Sequence, residues 1–169
     1  TESALVMTLV STGSDYESAT ENGLSHFLEH MCFKGTEKRP MAKDIALEFD
    51  SIGADYNAFT DRHSTGYYAR AHKKHLPKIL EMVSDIYLHS TFPEEEMQKE
   101  KGVVIQEINM YNDDPQYRVS QLANERLYGN QPAGRDIAGT KETVGSFTRK
   151  NLVDYHTKNY SAKNTLVVV

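Results

Sequence analysis

The segment His26-Phe27-Leu28-Glu29-His30 places two imidazoles and a carboxylate within five residues. In a helix, residues four apart stand about 40° from each other and one turn apart, because each residue advances by about 100°. Two neutral imidazoles in that geometry suit a tetrahedral zinc ion. Glu29 lies three residues after His26, on the same side, within reach of a water on such a metal. There it could serve as a general base. The order H-x-x-E-H is the inverted form of the zinc-protease motif. Five-residue patterns of this kind also arise by chance in unrelated helices, with the histidines as plain surface groups. Here Leu24, Phe27, Leu28, Met31 and Phe33 make the helix apolar nearly all round. Its polar groups are therefore expected to be buried, and buried ionisable groups need partners.

A third ligand is offered by Val103-Val104-Ile105-Gln106-Glu107-Ile108, where one carboxylate is embedded in an apolar run. Glu107 would complete a His2Glu set with a fourth position open, as catalytic zinc sites require. Glu100 precedes it by seven residues, which on a helix returns to within about 20° of the same face. It is a candidate for orienting a ligand or the bound water. Equally, it could belong to the solvated acidic run that begins at Glu94. The single cysteine, Cys32, cannot form an internal disulfide or a cysteine zinc cluster, and its apolar setting suggests packing. His63, His72, His75, His89 and His156 show no ligand spacing and are expected at the surface.

These groups need elements to hold them. Residues 3–11 read as a strand. A helix is predicted from Leu24 to Phe33, with Asn22 as its cap and Gly35 as its stop. A second follows Pro40, with Ile45, Leu47, Phe49 and Ile52 apolar and Gly53 at its end. Residues 55–60 and 64–71 are rich in Tyr, Phe and Thr, so they read as strands, and Asp61-Arg62-His63 between them is short enough for a hairpin. Leu76, Ile79, Leu80, Val83, Ile86 and Tyr87 recur at helical spacing. Pro93 and three glutamates open a long helix that runs to about Asn112. Val119, Leu122, Ala123 and Leu127 mark another amphipathic stretch. Residues 130–139 read as a loop, Thr140 and Thr148 as caps of further helical turns, and 164–169 as a last, apolar strand. The order β-α-α-β-β-α-α-α-α-β predicts an α+β fold, a two-layer sandwich in which helices cover one face of a mixed or antiparallel sheet.

The 169 residues fit one domain, and 38% hydrophobic with 25% charged residues is ordinary for a globular chain. A net charge of −5 argues against a nucleic-acid partner, and no apolar run is long enough to span a bilayer. The first residues read as a strand already under way and the last as one cut short, so a piece of a longer protein is expected.

Taken together, the motifs resemble the amino-terminal catalytic domain of the pitrilysin/insulinase family of zinc metallopeptidases, in particular bacterial members related to the mitochondrial processing peptidase. The resemblance rests on Gly23 to Thr36, on Gly53-Ala-Asp-Tyr-Asn57-Ala-Phe-Thr60, on Glu100 to Ile108, and on Gly134-Arg-Asp-Ile-Ala-Gly139-Thr140. The 77-residue step from His30 to Glu107 also fits the family. It implies one catalytic peptidase domain over residues 1–169, part of a longer protein, binding one zinc through His26, His30 and Glu107, with Glu29 as catalytic base and Glu100 supporting. It further implies that extended peptides add to an edge strand, where Asn57, Ala58 and Phe59 contact the substrate. Read from the residues alone, Asn57 could instead cap a turn and Phe59 lie in the core. Family members enclose the peptide between two homologous halves, so a second domain or subunit, or a homodimer, is an expected partner. This chain has no counterpart of the arginine and tyrosine supplied by that half. A non-catalytic scaffold that binds peptide without cleaving it is the alternative, and a cytoplasmic location is the expectation.

Overall fold

Alternation along the strands decides which way the sheet faces. In the computed structural model, which describes residues 2–169, β1 (Ser3–Val10), β2 (Asp55–Thr60), β3 (Thr65–His72) and β4 (Thr165–Val168) form one antiparallel sheet in the order β2-β3-β1-β4. Val6 lies opposite Ala69, and Ala58 opposite Tyr67, on the face that carries the core. Asn57 and Met7 both pair with Tyr68 on the other face. The sheet is thus wholly antiparallel rather than mixed. The β2–β3 hairpin is closed by Asp61, whose Oδ1 accepts the amides of His63 and Ser64, both at 2.6 Å.

Between β1 and β2 lie α1 (Leu24–Met31) and α2 (Ala42–Ser51); between β3 and β4 lie α3 (Leu76–Leu88), α4 (Glu94–Asp113), α5 (Pro115–Tyr128), α6 (Lys141–Ser146) and α7 (Arg149–Asn159). That is one helix more than expected, because Thr140 and Thr148 each cap a separate helix. α3 packs on β1 and β3, while α1 lies against β2 and α4. Phe27, Leu28 and Met31 of α1, Ile79 and Met82 of α3, and Met97 and Val104 of α4 are buried together. No helix among the described residues is long and apolar enough to cross a membrane.

The start of α1 differs from the sequence expectation. Asn22 does not cap it. The buried Glu17 carboxylate does, accepting from Gly23 N at 2.8 Å and Ser25 N at 2.7 Å, where the helix dipole also favours negative charge. Asn22 instead donates to the Asp136 carbonyl at 2.8 Å. Gly23 has φ 93°, and a side chain there would meet the Ala138 carbonyl at 2.6 Å; Gly139, at φ 80°, meets Asn22 O in the same way at 2.5 Å. Two glycines therefore let the loop before α6 lie directly on the start of α1. The helix ends at Met31, two residues earlier than expected, with Cys32 as its C-cap.

Some apolar positions stay exposed among the described residues. Val119, Leu122 and Leu127 of α5 are exposed, as are Leu47 of α2 and residues Leu166 to Val169 in and after β4, so apolar periodicity there does not mean burial. His156 is the reverse case. It is half-buried, bonded to Tyr87 O at 2.8 Å and packed on Phe92 and Tyr160, not a surface residue.

The segment after α1 is fixed by Arg39, which is buried and donates to Asp85 (2.5 Å), Glu81 (2.7 Å) and Glu48. Thr36 donates to the same Asp85 oxygen at 2.7 Å. Arg39→Ala is expected to destabilise the fold by about 3 kcal/mol, the lower end for breaking a buried pair, since Glu48 and Glu81 reach solvent. Urea unfolding checks this. The Arg39 hydrogen bond holds the Glu81 carboxyl down at about 2. A depressed acid contributes stability above its unfolded value and loses it as pH falls. The wild-type chain should therefore lose stability between about pH 4.5 and 2 through this group, and Arg39→Ala should flatten that slope.

Candidate metal centre

α1 places His26 and His30 one turn apart, and α4 crosses it so that Glu107 faces both. The distances are 3.3 Å between the two Nε2 atoms, 3.4 Å from His30 Nε2 to Glu107 Oε2, and 3.7 Å from His26 Nε2 to the same oxygen. A tetrahedral zinc with bonds of about 2.0–2.1 Å separates its ligands by about 3.3–3.4 Å. The three atoms thus already stand nearly at the spacing zinc requires. They form the one cluster of this kind found among the described residues.

Electrostatics point the same way. Burial and the neighbouring His30 push the His26 pKa down to about 4. Burial also opposes charge on His30, but hydrogen bonds to Glu100 and Glu107 outweigh it and hold the group at about 9. The hydrogen bond from His30 leads in holding Glu107 down at about 2. A single proton thus bridges three donors crowded together, a place a divalent cation can take.

Glu100 is not part of the solvated acidic run. It is buried, with Oε1 2.9 Å from His30 Nδ1 and Oε2 2.7 Å from Lys34 Nζ. Burial raises its carboxyl, but the His30 and Lys34 contacts prevail and lower it. An ionised Glu100 holds a proton on His30 Nδ1, so the proton a metal would displace is the one on Nε2, facing Glu107 and His26. Its loss leaves the tautomer a metal ligand needs.

Glu29 lines the same cleft of about 580 Å³. Burial raises its pKa, partly offset by the Thr60 hydroxyl, which donates to Oε2 at 2.6 Å. A half-buried carboxylate so held is both oriented and made more basic. Thr60 ends β2, an outer strand of the sheet, so the strand that borders the cleft also fixes this carboxylate.

Asn57, Ala58 and Phe59 line the cleft as well. Asn57 caps no turn; its Oδ1 accepts the Ala58 amide at 2.9 Å along the strand. Phe59 is 37% exposed and lies over Gly66, outside the core. Cys32 is buried, and burial pushes its thiol up to about 12, as suits a packing residue. Three contributors were not singled out from the sequence: Thr60, Lys34 and Tyr111, whose hydroxyl donates to Glu107 Oε1 at 2.7 Å. Tyr111 lies one turn after Glu107 on α4, so helical spacing was the available signal for it, whereas Lys34 lies beyond the end of α1 and meets Glu100 of α4.

Known proteins show the same arrangement of chain. A profile of the insulinase family, peptidase family M16, matches residues 1–141. A zinc protease of Bacillus subtilis, YmxG, is 43% identical over 160 residues, covering 95% of this chain and 39% of its own length. The human mitochondrial-processing peptidase subunit beta is 42% identical over 151 residues, 89% of this chain and 31% of its own. The crystal structure of a protease from Helicobacter pylori superposes with a TM-score of 0.93 at 25% identity, over 99% of this chain and 40% of that one. This chain therefore spans about two fifths or less of the length of these relatives. The profile match and the level of identity together place it in the insulinase family of metallopeptidases, peptidase family M16.

Proposed function

We propose that this chain is the metal-holding part of a zinc endopeptidase that hydrolyses extended peptides, with His26, His30 and Glu107 as ligands and Glu29 as the general base. The observation that carries this reading is the convergence of three potential ligand atoms beside a carboxylate oriented by Thr60 in one cleft. Zinc, when bound, supplies a Lewis acid that acidifies a water and polarises a carbonyl. Glu29 then accepts the proton of the attacking water and delivers it to the departing amine nitrogen. Its place beside the three converging atoms, with Thr60 fixing one oxygen, suits both halves of that task. Thr60 keeps the carboxylate pointed at the cleft through both transfers. Glu100 keeps His30 in the liganding tautomer.

The substrate is an extended segment added along β2. Main-chain hydrogen bonds would give sequence-tolerant affinity, with Phe59 and Ala58 beside the cleaved bond and Asn57 free to exchange its Ala58 contact for the peptide. Because the chain spans about two fifths of its relatives, enclosure of the peptide falls to a second domain or subunit. A homodimer is one form this could take.

The full-length protein should cleave a quenched fluorescent peptide, lose that activity on dialysis against a chelator, and regain it with about one zinc per chain. Cleavage indifferent to chelation would contradict a metal mechanism. Stoichiometric zinc without cleavage would leave a peptide-binding scaffold instead.

A further inference from the structure

Glu107 has two oxygens, and only one faces the histidines. Oε2 is the atom 3.4 and 3.7 Å from the imidazole nitrogens, while Oε1 receives the Tyr111 hydroxyl. Tyr111 is itself held. Its ring stacks on Tyr117 of α5, with centroids 4.8 Å apart and planes at 19°. The Tyr117 hydroxyl lies 3.0 Å from both oxygens of Asp136. Asp136 also accepts the Ala138 amide through its side chain, and its carbonyl accepts Asn22 at the start of α1. The contacts thus form a closed loop, from the α4 carboxylate through two stacked rings and back to the helix that bears both histidines.

We propose that Tyr111 is a positioning residue for the metal. By occupying Oε1, its hydroxyl makes Glu107 a one-oxygen ligand and fixes Oε2 at the apex of the histidine pair. The Tyr117–Asp136 pair holds the Tyr111 ring in place, so the spacing between α1 and α4 is set by side chains that do not touch the metal. The inference rests on the zinc reading above. Hydrogen bonds to a liganding carboxylate of this kind are worth about 10–100-fold in metal affinity.

The test is zinc affinity of the full chain, measured by competition with a chromophoric chelator, alongside the melting temperature of the metal-free form. Tyr111→Phe should weaken zinc binding about 10–100-fold while the metal-free melting temperature holds. In the cobalt-substituted protein its visible bands should lose intensity, as Glu107 becomes free to bind through both oxygens. Tyr111→Gln lacks the ring but can still donate to a carboxylate one turn away, so it should bind zinc more tightly than Tyr111→Phe. Wild-type zinc binding in Tyr111→Phe, with the parent chain holding about one zinc, would overturn the role of Tyr111 and leave the zinc site standing. Tighter binding by Phe than by Gln would assign the effect to ring packing and also overturn it. A parent chain that binds no zinc would remove both proposals together.

Discussion

Glu29→Gln is expected to leave zinc bound and to reduce peptide cleavage by about 10²–10⁴-fold, the usual contribution of a positioned proton-transfer group. The substitution keeps shape and one acceptor oxygen, so the Thr60 hydroxyl that donates to Glu29 at 2.6 Å retains a partner. What is lost is the capacity to take up a proton. Glu29 is not one of the three residues whose potential ligand atoms converge, so metal content should be unchanged. The pair of readings is the discriminating part, since a variant that fails through misfolding would lose metal and cleavage together. Cleavage at the parental rate with zinc bound would exclude Glu29 as the base.

The second large effect concerns Glu107. In the proposed site, Glu107→Ala removes the oxygen ligand and leaves two histidines from one helix, too few to hold zinc against competing chelators. Affinity should fall by more than the roughly 10–100-fold expected for loss of an outer partner. Glu100→Gln, which weakens support for His30 without removing a ligand, should fall within that smaller range. An inverted order, with Glu100 the more costly residue, would mean that the carboxylate roles are exchanged. The comparison is informative because both residues lie on α4 and both contact His30, at 2.9 and 3.4 Å.

The candidate metal cluster was legible in the sequence because helical spacing translates directly into a shared face. His26, Glu29 and His30 needed only one helix to form. Glu107 stood out as a single carboxylate in an apolar run. Glu100 was ambiguous because seven residues of helix bring it to the same face, yet the run from Glu94 pulls the reading toward solvent. Its Lys34 and His30 contacts, which decide the matter, depend on how α1 crosses α4. Crossing angles are set by packing, not by either helix alone.

The same reason hides Thr60 and the Tyr117–Asp136 pair, whose partners are distant in the chain. Asn22 was misread as a cap because its residue type fits that role, while the actual cap, Glu17, arrives from a preceding loop. Periodicity located α5 and β4 but not their exposure, since an apolar stripe reports only that something should cover it. Gly23 and Gly139 were visible as motif residues. Their purpose, a close approach between the start of α1 and the loop before α6, follows only from the fold.

The central claim is that one zinc sits between His26, His30 and Glu107, and diffraction at the zinc absorption edge tests it most directly. A single anomalous peak within about 2.0–2.2 Å of His26 Nε2, His30 Nε2 and Glu107 Oε2 is the predicted result. A crystal grown with zinc that shows no peak there, or a peak whose ligands exclude Glu107, would contradict it.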